Sequence, residues 1–120
     1  SVPMRDAAIY VRENSWDDAY ELWNQAFEGT KNQKKKMRAA LNIAVYYEMK
    51  DSLAKAEEWA EKAQQLAKKI DKKNITDSVQ ASIDDVPNYY LTSLYLAELK
   101  ERNAQLSKLK LQMSRFNDDF

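Results

Sequence analysis

The sequence has no cysteine and no histidine, one glycine, two prolines and no long apolar run. Without cysteine there is no disulfide framework, thiolate nucleophile or thiolate metal site, and the redox compartment is left open. Without histidine the most frequent general base, the serine–histidine triads and the usual zinc ligand are all missing. One Gly and two Pro leave few positions for tight turns. No apolar stretch approaches the roughly 20 residues that a membrane span needs. Charge of one sign is also lacking: 19 basic residues balance 19 acidic ones. A nucleic-acid partner, which calls for a strongly basic face, is therefore not expected. Ser1-Val2-Pro3 carries none of the features of a signal peptide. A start partway through a repeating pattern suggests a trimmed or processed part of something larger.

What is present is helical patterning. At 120 residues, 44% hydrophobic and 32% charged, the chain is one all-α domain's worth of sequence. Five pairs of like residues stand 37 positions apart: Ala7 and Ala44, Tyr10 and Tyr47, Ala19 and Ala56, Glu21 and Glu58, Ala26 and Ala63. A fixed period of that size marks a repeat of helical hairpins. The first hairpin is expected over residues 4–29 and the second over 35–70, with a transitional helix and a long C-terminal helix over 76–116.

Met4, Ala7, Ala8 and Val11 share one face of the first helix. Ser15 is suited to cap the next, with Asp17 and Asp18 in its first turn. Its stripe is Trp16, Ala19, Trp23 and Ala26, and Gly29 is expected to end it in the left-handed conformation. Residues 30–36 read as a polar loop or frayed turn. Helix three, from about Lys35 to Met49, carries Met37, Ala40, Ala44 and Tyr47. Asp51 or Ser52 caps helix four, whose seam is Leu53, Ala56, Ala60, Ala63, Ala67 and Ile70. So much alanine lets two helices approach closely. Periodicity then fades. Thr76 can cap a short helix holding Val79, Ile83 and Val86, and Pro87 opens a long helix to about Met113. That helix is broadly apolar early and narrows to Leu106, Leu109, Met113 and Phe116.

The two hairpins resemble tetratricopeptide repeats in Ala44 and Tyr47 followed by Ala56 and Ala63, and in Ala7 and Tyr10 followed by Ala19, Trp23 and Ala26. They depart from that pattern at Ala40 and Pro3, where a bulky ring is usual, and at Ala60. The spacing is 37 rather than 34. The resemblance implies antiparallel hairpins stacked as a short right-handed superhelix, with the long C-terminal helix capping the open end. It also implies a ligand groove lined by first helices. By position that groove is Arg5, Ala8 and Arg12 in the first unit and Arg38, Leu41, Asn42, Val45 and Met49 in the second. Leu41 and Val45 stand where a carboxylate clamp would have polar residues, so a mixed groove for a helix or an extended peptide fits better. The tryptophan-led second helix with a long terminal helix is also similar to repeat regions of bacterial envelope proteins.

Two other features attract attention. Lys34, Lys35 and Lys36, with Lys31 and Arg38, form a basic patch. It reads as a solvated loop, or as a contact for an anion or acidic peptide at a helix start. Trp59 lies beside the alanine seam rather than on it. The remaining motifs are weak. Asn74-Ile75-Thr76 is a glycosylation sequon. The carboxylate pairs Asp17-Asp18, Glu57-Glu58 and Asp84-Asp85 do not face one another as a catalytic pair must. No metal or phosphate motif appears, so no cofactor is expected. The sequence thus predicts a non-catalytic module that binds a protein or peptide. Its alternative is a structural domain that assembles with itself, as a homo-oligomer, or with another part of a larger envelope protein, through the stripe Leu106, Leu109, Met113 and Phe116.

Overall fold

The computed structural model describes residues 4, 6, 7, 9, 15–77 and 88–118, with the side chains of 73–77 and 116–118 excepted. All elements among them are helical. Met4, Asp6, Ala7 and Ile9 are in helical conformation, and four further helices follow: α1 (Trp16–Gly29), α2 (Gln33–Met49), α3 (Leu53–Asp77) and α4 (Asn88–Asp118). Tyr10, Val11 and Arg12, and the transitional residues Val79, Ile83 and Val86, lie outside the described residues.

The helix ends follow local chemistry, though not always the chemistry expected. The Ser15 carbonyl accepts the Ala19 N–H at 3.1 Å, but the Ser15 side chain makes no capping bond. Gly29 stays helical instead of turning left-handed. The chain leaves through Thr30 in extended conformation (φ −100°, ψ 141°), and the Thr30 N–H closes on Ala26. The three residues from Thr30 to Asn32 reach the next helix without a left-handed step. Asn32 is the cap of α2: its side-chain oxygen accepts the Lys35 N–H at 3.0 Å. Lys34, Lys35 and Lys36 therefore belong to the first turn of a helix, not to a loop.

The left-handed residue is Asp51 (φ 59°), at the end of α2. The Ser52 N–H reaches the Tyr47 carbonyl at 2.9 Å and the Asp51 N–H reaches Glu48 at 3.0 Å. This is the paired closure that usually has glycine at its centre; a short polar Asp tolerates it better than most residues. Ser52 then opens α3, its carbonyl accepting the Ala56 N–H.

α3 runs on through Asn74 and Thr76 to Asp77, so Thr76 does not start a new helix. No glycine or proline interrupts residues 71–77. Asp71, near the end of α3, receives the Asn88 N–H at 3.1 Å on one oxygen and the Tyr89 N–H at 2.8 Å on the other. Those donors are among the four that a helix start leaves unpaired. An acid from a neighbouring helix satisfies them and favours the positive end of the dipole.

The core has three parts. Ala7, Ala19, Trp23 and Ile43 join the N-terminal residues to α1 and α2. Met37 and Ala40 pack on Ala63 and Ala67, while Ala44 packs on Ala56 and Ala60, so α2 and α3 run antiparallel along an alanine seam. Ala44 and Ala63 are fully buried. Leu96 and Leu99 of α4 complete the Ala44 cluster. Side-chain bonds Gln64–Ser93 and Asn103–Glu57 and the ion pair Lys100–Glu61 fix α4 antiparallel to α3, and therefore parallel to α2. Trp59, half-buried, packs against all three clusters.

The seated part of α4 ends near Leu106. From Ser107 to Arg115 every residue is exposed, including Leu109, Leu111 and Met113. Only the first half of α4 is thus packed against the preceding helices. The molecule measures 65 × 32 × 22 Å. No helix among the described residues is long and apolar enough to cross a membrane.

Candidate functional site

On α2, Ala40 and Ala44 face α3, and Ile43, Tyr46 and Tyr47 face α1, which leaves a third side of the helix. Arg38, Leu41, Asn42, Val45 and Met49 recur there at spacings of three and four, which gathers them on one stripe. Arg38 and Met49 are exposed, whereas Leu41, Asn42 and Val45 are half-buried. Leu41 reaches the edge of the core formed by Ala67, Leu66 and Ile70. Arg5, Ala8 and Arg12, expected to extend the stripe, lie outside the described residues.

α4 stands along one margin of this face. Tyr95 donates to Glu48 Oε1 at 3.1 Å, and Arg102 pairs with Glu48 Oε2 at 2.6 Å. Burial and the Glu48 charge push the Tyr95 phenol well above its ordinary range. Glu48 thereby ties the end of α2 to two turns of α4. The C-terminal helix forms a wall beside the stripe, and Met49 beyond it stays 54% exposed.

The other margin of α2 is aromatic. Tyr20 stacks on Tyr46 with centroids 4.3 Å apart and meets Tyr47 edge-on at 5.5 Å. The Tyr20 and Tyr47 hydroxyls are 2.6 Å apart. Tyr46 donates to Asp17 Oδ1, which also pairs with Lys50 at 3.3 Å. Accepting that hydrogen bond holds the Asp17 carboxyl below its usual range, with Lys50 adding to the effect. The same bond pushes Tyr46 up to about 12, while burial and then the Tyr20 bond push Tyr47 up to about 12. These hydroxyls are tied into structure and stay protonated at neutral pH.

A cavity of about 600 Å³ lies on a different surface, and none of the five α2 stripe residues lines it. Its floor includes Phe27, Leu66 and Leu96, and its rim includes Lys36, Glu58, Glu61, Lys62 and Lys100. Phe27 meets Trp59 edge-on at 5.0 Å. The Lys36 ammonium sits 4.7 Å from the Phe27 centroid and Lys62 sits 4.0 Å from the Trp59 centroid, both within cation–π range. The basic patch is therefore divided. Lys36 leans over a ring at this cavity, while Lys34 and Lys35 are exposed on the first turn of α2. Sequence reading missed the cavity because its residues come from four helices; of the residues singled out there, Lys36 lines it and Trp59 meets its Phe27 edge-on.

The carboxylate pairs are engaged separately. Asp17 serves Tyr46 and Lys50, Glu57 accepts from Asn103, and Glu58 pairs with Lys62 at 3.8 Å. Asp84-Asp85 lies outside the described residues. No group of three or more His, Cys, Asp or Glu among the described residues is arranged to hold a metal ion.

Residues 5–101 match the family described as a domain of unknown function (DUF6340), and the chain belongs to that family. No curated protein and no solved structure matches it.

Proposed function

We propose that this chain is a non-catalytic module that holds a protein or peptide on the outer face of α2, in the manner of a short tetratricopeptide-like superhelix. Supporting this reading are the antiparallel hairpins, the alanine seam between α2 and α3, and the parallel course of α2 and α4. In such a stack α2 and α4 are successive first helices, and the face between them is the groove. The observation that carries the proposal is the stripe of Arg38, Leu41, Asn42, Val45 and Met49. It mixes charge, amide and apolar surface on one helix face, and none of the five residues is fully buried. Asn42 supplies a donor and acceptor for a peptide backbone, Leu41 and Val45 an apolar floor, and Arg38 a cation for an acidic group.

Selection of a phage-displayed random peptide library on the chain tests this. Selected peptides should lose roughly tenfold in affinity, about 1.4 kcal/mol, in a variant carrying Arg38→Ala and Asn42→Ala. Selection of peptides whose binding ignores both substitutions would place the binding surface elsewhere and remove the proposal.

A further inference from the structure

α4 contains one seam with two fates. Thr92, Tyr95, Leu99, Arg102, Leu106, Leu109 and Met113 follow one another at alternating spacings of three and four, the seven-residue repeat of a helix pair. Over the first half this seam is covered, except at Arg102, which is exposed and paired with Glu48. Thr92 and Leu99 are buried, Tyr95 and Leu106 are half-buried, and α3 lies antiparallel against it. The covering helices present carboxylates to the polar groups along the seam: Glu48 to Tyr95 and Arg102, Glu61 to Lys100, and Glu57 to Asn103. The cover stops where α3 begins, at Leu53. There a smaller cavity of about 360 Å³ opens between Asp51–Lys55 and Asn103, Leu106 and Lys110.

Past that point the seam continues in register with none of the described helices packed on it. Leu109 is 49% and Met113 57% exposed. The flanking charge changes as well. From Arg102 to Asn117 there are four cations and no acidic residue, in a chain whose overall charge is zero. Lys108, Lys110 and Arg115 make no ion pair among the described residues. A helical extension of this length has little stability of its own in water. Its apolar stripe and these cations are both exposed and accessible to a second molecule.

We infer that the projecting half of α4 docks an acidic amphipathic α-helix of a partner protein. The partner helix lies antiparallel to α4, takes up the seam where α3 leaves it, and sets its carboxylates against Lys108, Lys110 and Arg115. The chain's own solution over residues 92–106, apolar contact flanked by glutamates, defines the chemistry of the partner. A second copy pairing its own projecting half is disfavoured, since that would set cations against cations. An anionic membrane is disfavoured because the stripe is a narrow seam, not the broad apolar face of an interfacial helix.

Two synthetic helical peptides with leucine along one seam, flanked by glutamate in one and lysine in the other, serve as probes in fluorescence anisotropy with the full chain. The glutamate peptide should bind roughly tenfold or more tighter than the lysine peptide, with the difference shrinking as salt is raised. A Leu109→Asn, Met113→Asn variant should lose that binding by about the same factor, while Leu91→Asn, Leu94→Asn, on another face of the same helix, should keep it. All four positions are exposed, so circular dichroism should give the same melting curve for both variants. Equal binding of the two peptides, or no binding of either, would overturn the inference. So would binding that survives in the Leu109, Met113 variant. A mass that doubles with concentration and reverts in that variant would assign the seam to a second copy. Variant-sensitive sedimentation with phosphatidylglycerol vesicles would assign it to lipid.

Discussion

The two faces of α2 solve the same packing problem with opposite materials. Toward α1 the contact is built from rings: Trp16, Trp23, Tyr20, Tyr46 and Tyr47. Toward α3 it is built from methyl groups: Ala40, Ala44, Ala56, Ala60, Ala63 and Ala67. Each ring removes a large area from water, but a tyrosine brings a hydroxyl that must find a partner. Hence the Tyr20–Tyr47 bond and the Tyr46–Asp17 bond, at the half-exposed edge where such partners can be reached. An alanine contributes little area and no polar atom. It acts by letting the helix backbones approach, so each position has little room to spare. The ring side is thus sensitive to what is removed, and the alanine side to what is added.

Removal on the ring side should give the largest effect. Trp23, 5% exposed, touches Ala7, Ala19 and Ile43, and Trp23→Ala should cost about 3–5 kcal/mol in urea unfolding. On the alanine side, Ala63→Leu forces three extra carbons into a fully buried position and should cost about 1–3 kcal/mol, whereas Ala54→Leu, at an exposed position of the same helix, should cost almost nothing. A loss at Ala63 no greater than at Ala54 would mean the seam is loose.

Alkaline pH should separate the two sides again. Tyr46 and Tyr47 are raised to about 12 in the fold, above the usual value near 10. Between these values the unfolded chain has released protons that the folded chain still holds. Their contribution is complete below about pH 10 and declines as pH rises toward 12. The melting temperature should fall steeply over that window, and a Tyr46→Phe, Tyr47→Phe variant should flatten the slope. Smallest of all, Tyr46→Phe alone removes one bond to an exposed carboxylate and should cost no more than about 1 kcal/mol at neutral pH. It should also let the Asp17 carboxyl rise toward its ordinary range, visible in a carboxyl-resolved NMR titration.

The alanine seam was legible because burial on one side of a helix imposes a three-and-four spacing that any reader of the sequence can count. The helix ends were less so. Gly29 has the right identity for a left-handed stop, yet an extended Thr30 made that stop unnecessary, and the left-handed step fell on Asp51. Asn32 is an ordinary cap hidden in a lysine-rich stretch. The α2 stripe could be placed on one face from spacing alone, but half of the groove proposed with it rests on Arg5, Ala8 and Arg12, which the described residues do not include. The cavity around Phe27, Leu66 and Leu96 needed the tertiary arrangement, since no sequence period links its residues. The change along α4 was partly visible as a narrowing stripe. Where cover gives way to solvent depends on where α3 starts, which lies about fifty positions earlier in the chain.

The two carboxylate oxygens of Asp71 hold the first residues of α4 from outside the helix. Because the anchor is on α3, the starting point of α4 is held by a neighbouring helix. Lengthening or decorating the connection between the two helices should therefore leave the fourth helix in register, and a ligand or tag grafted into it should leave both faces of the molecule where they are.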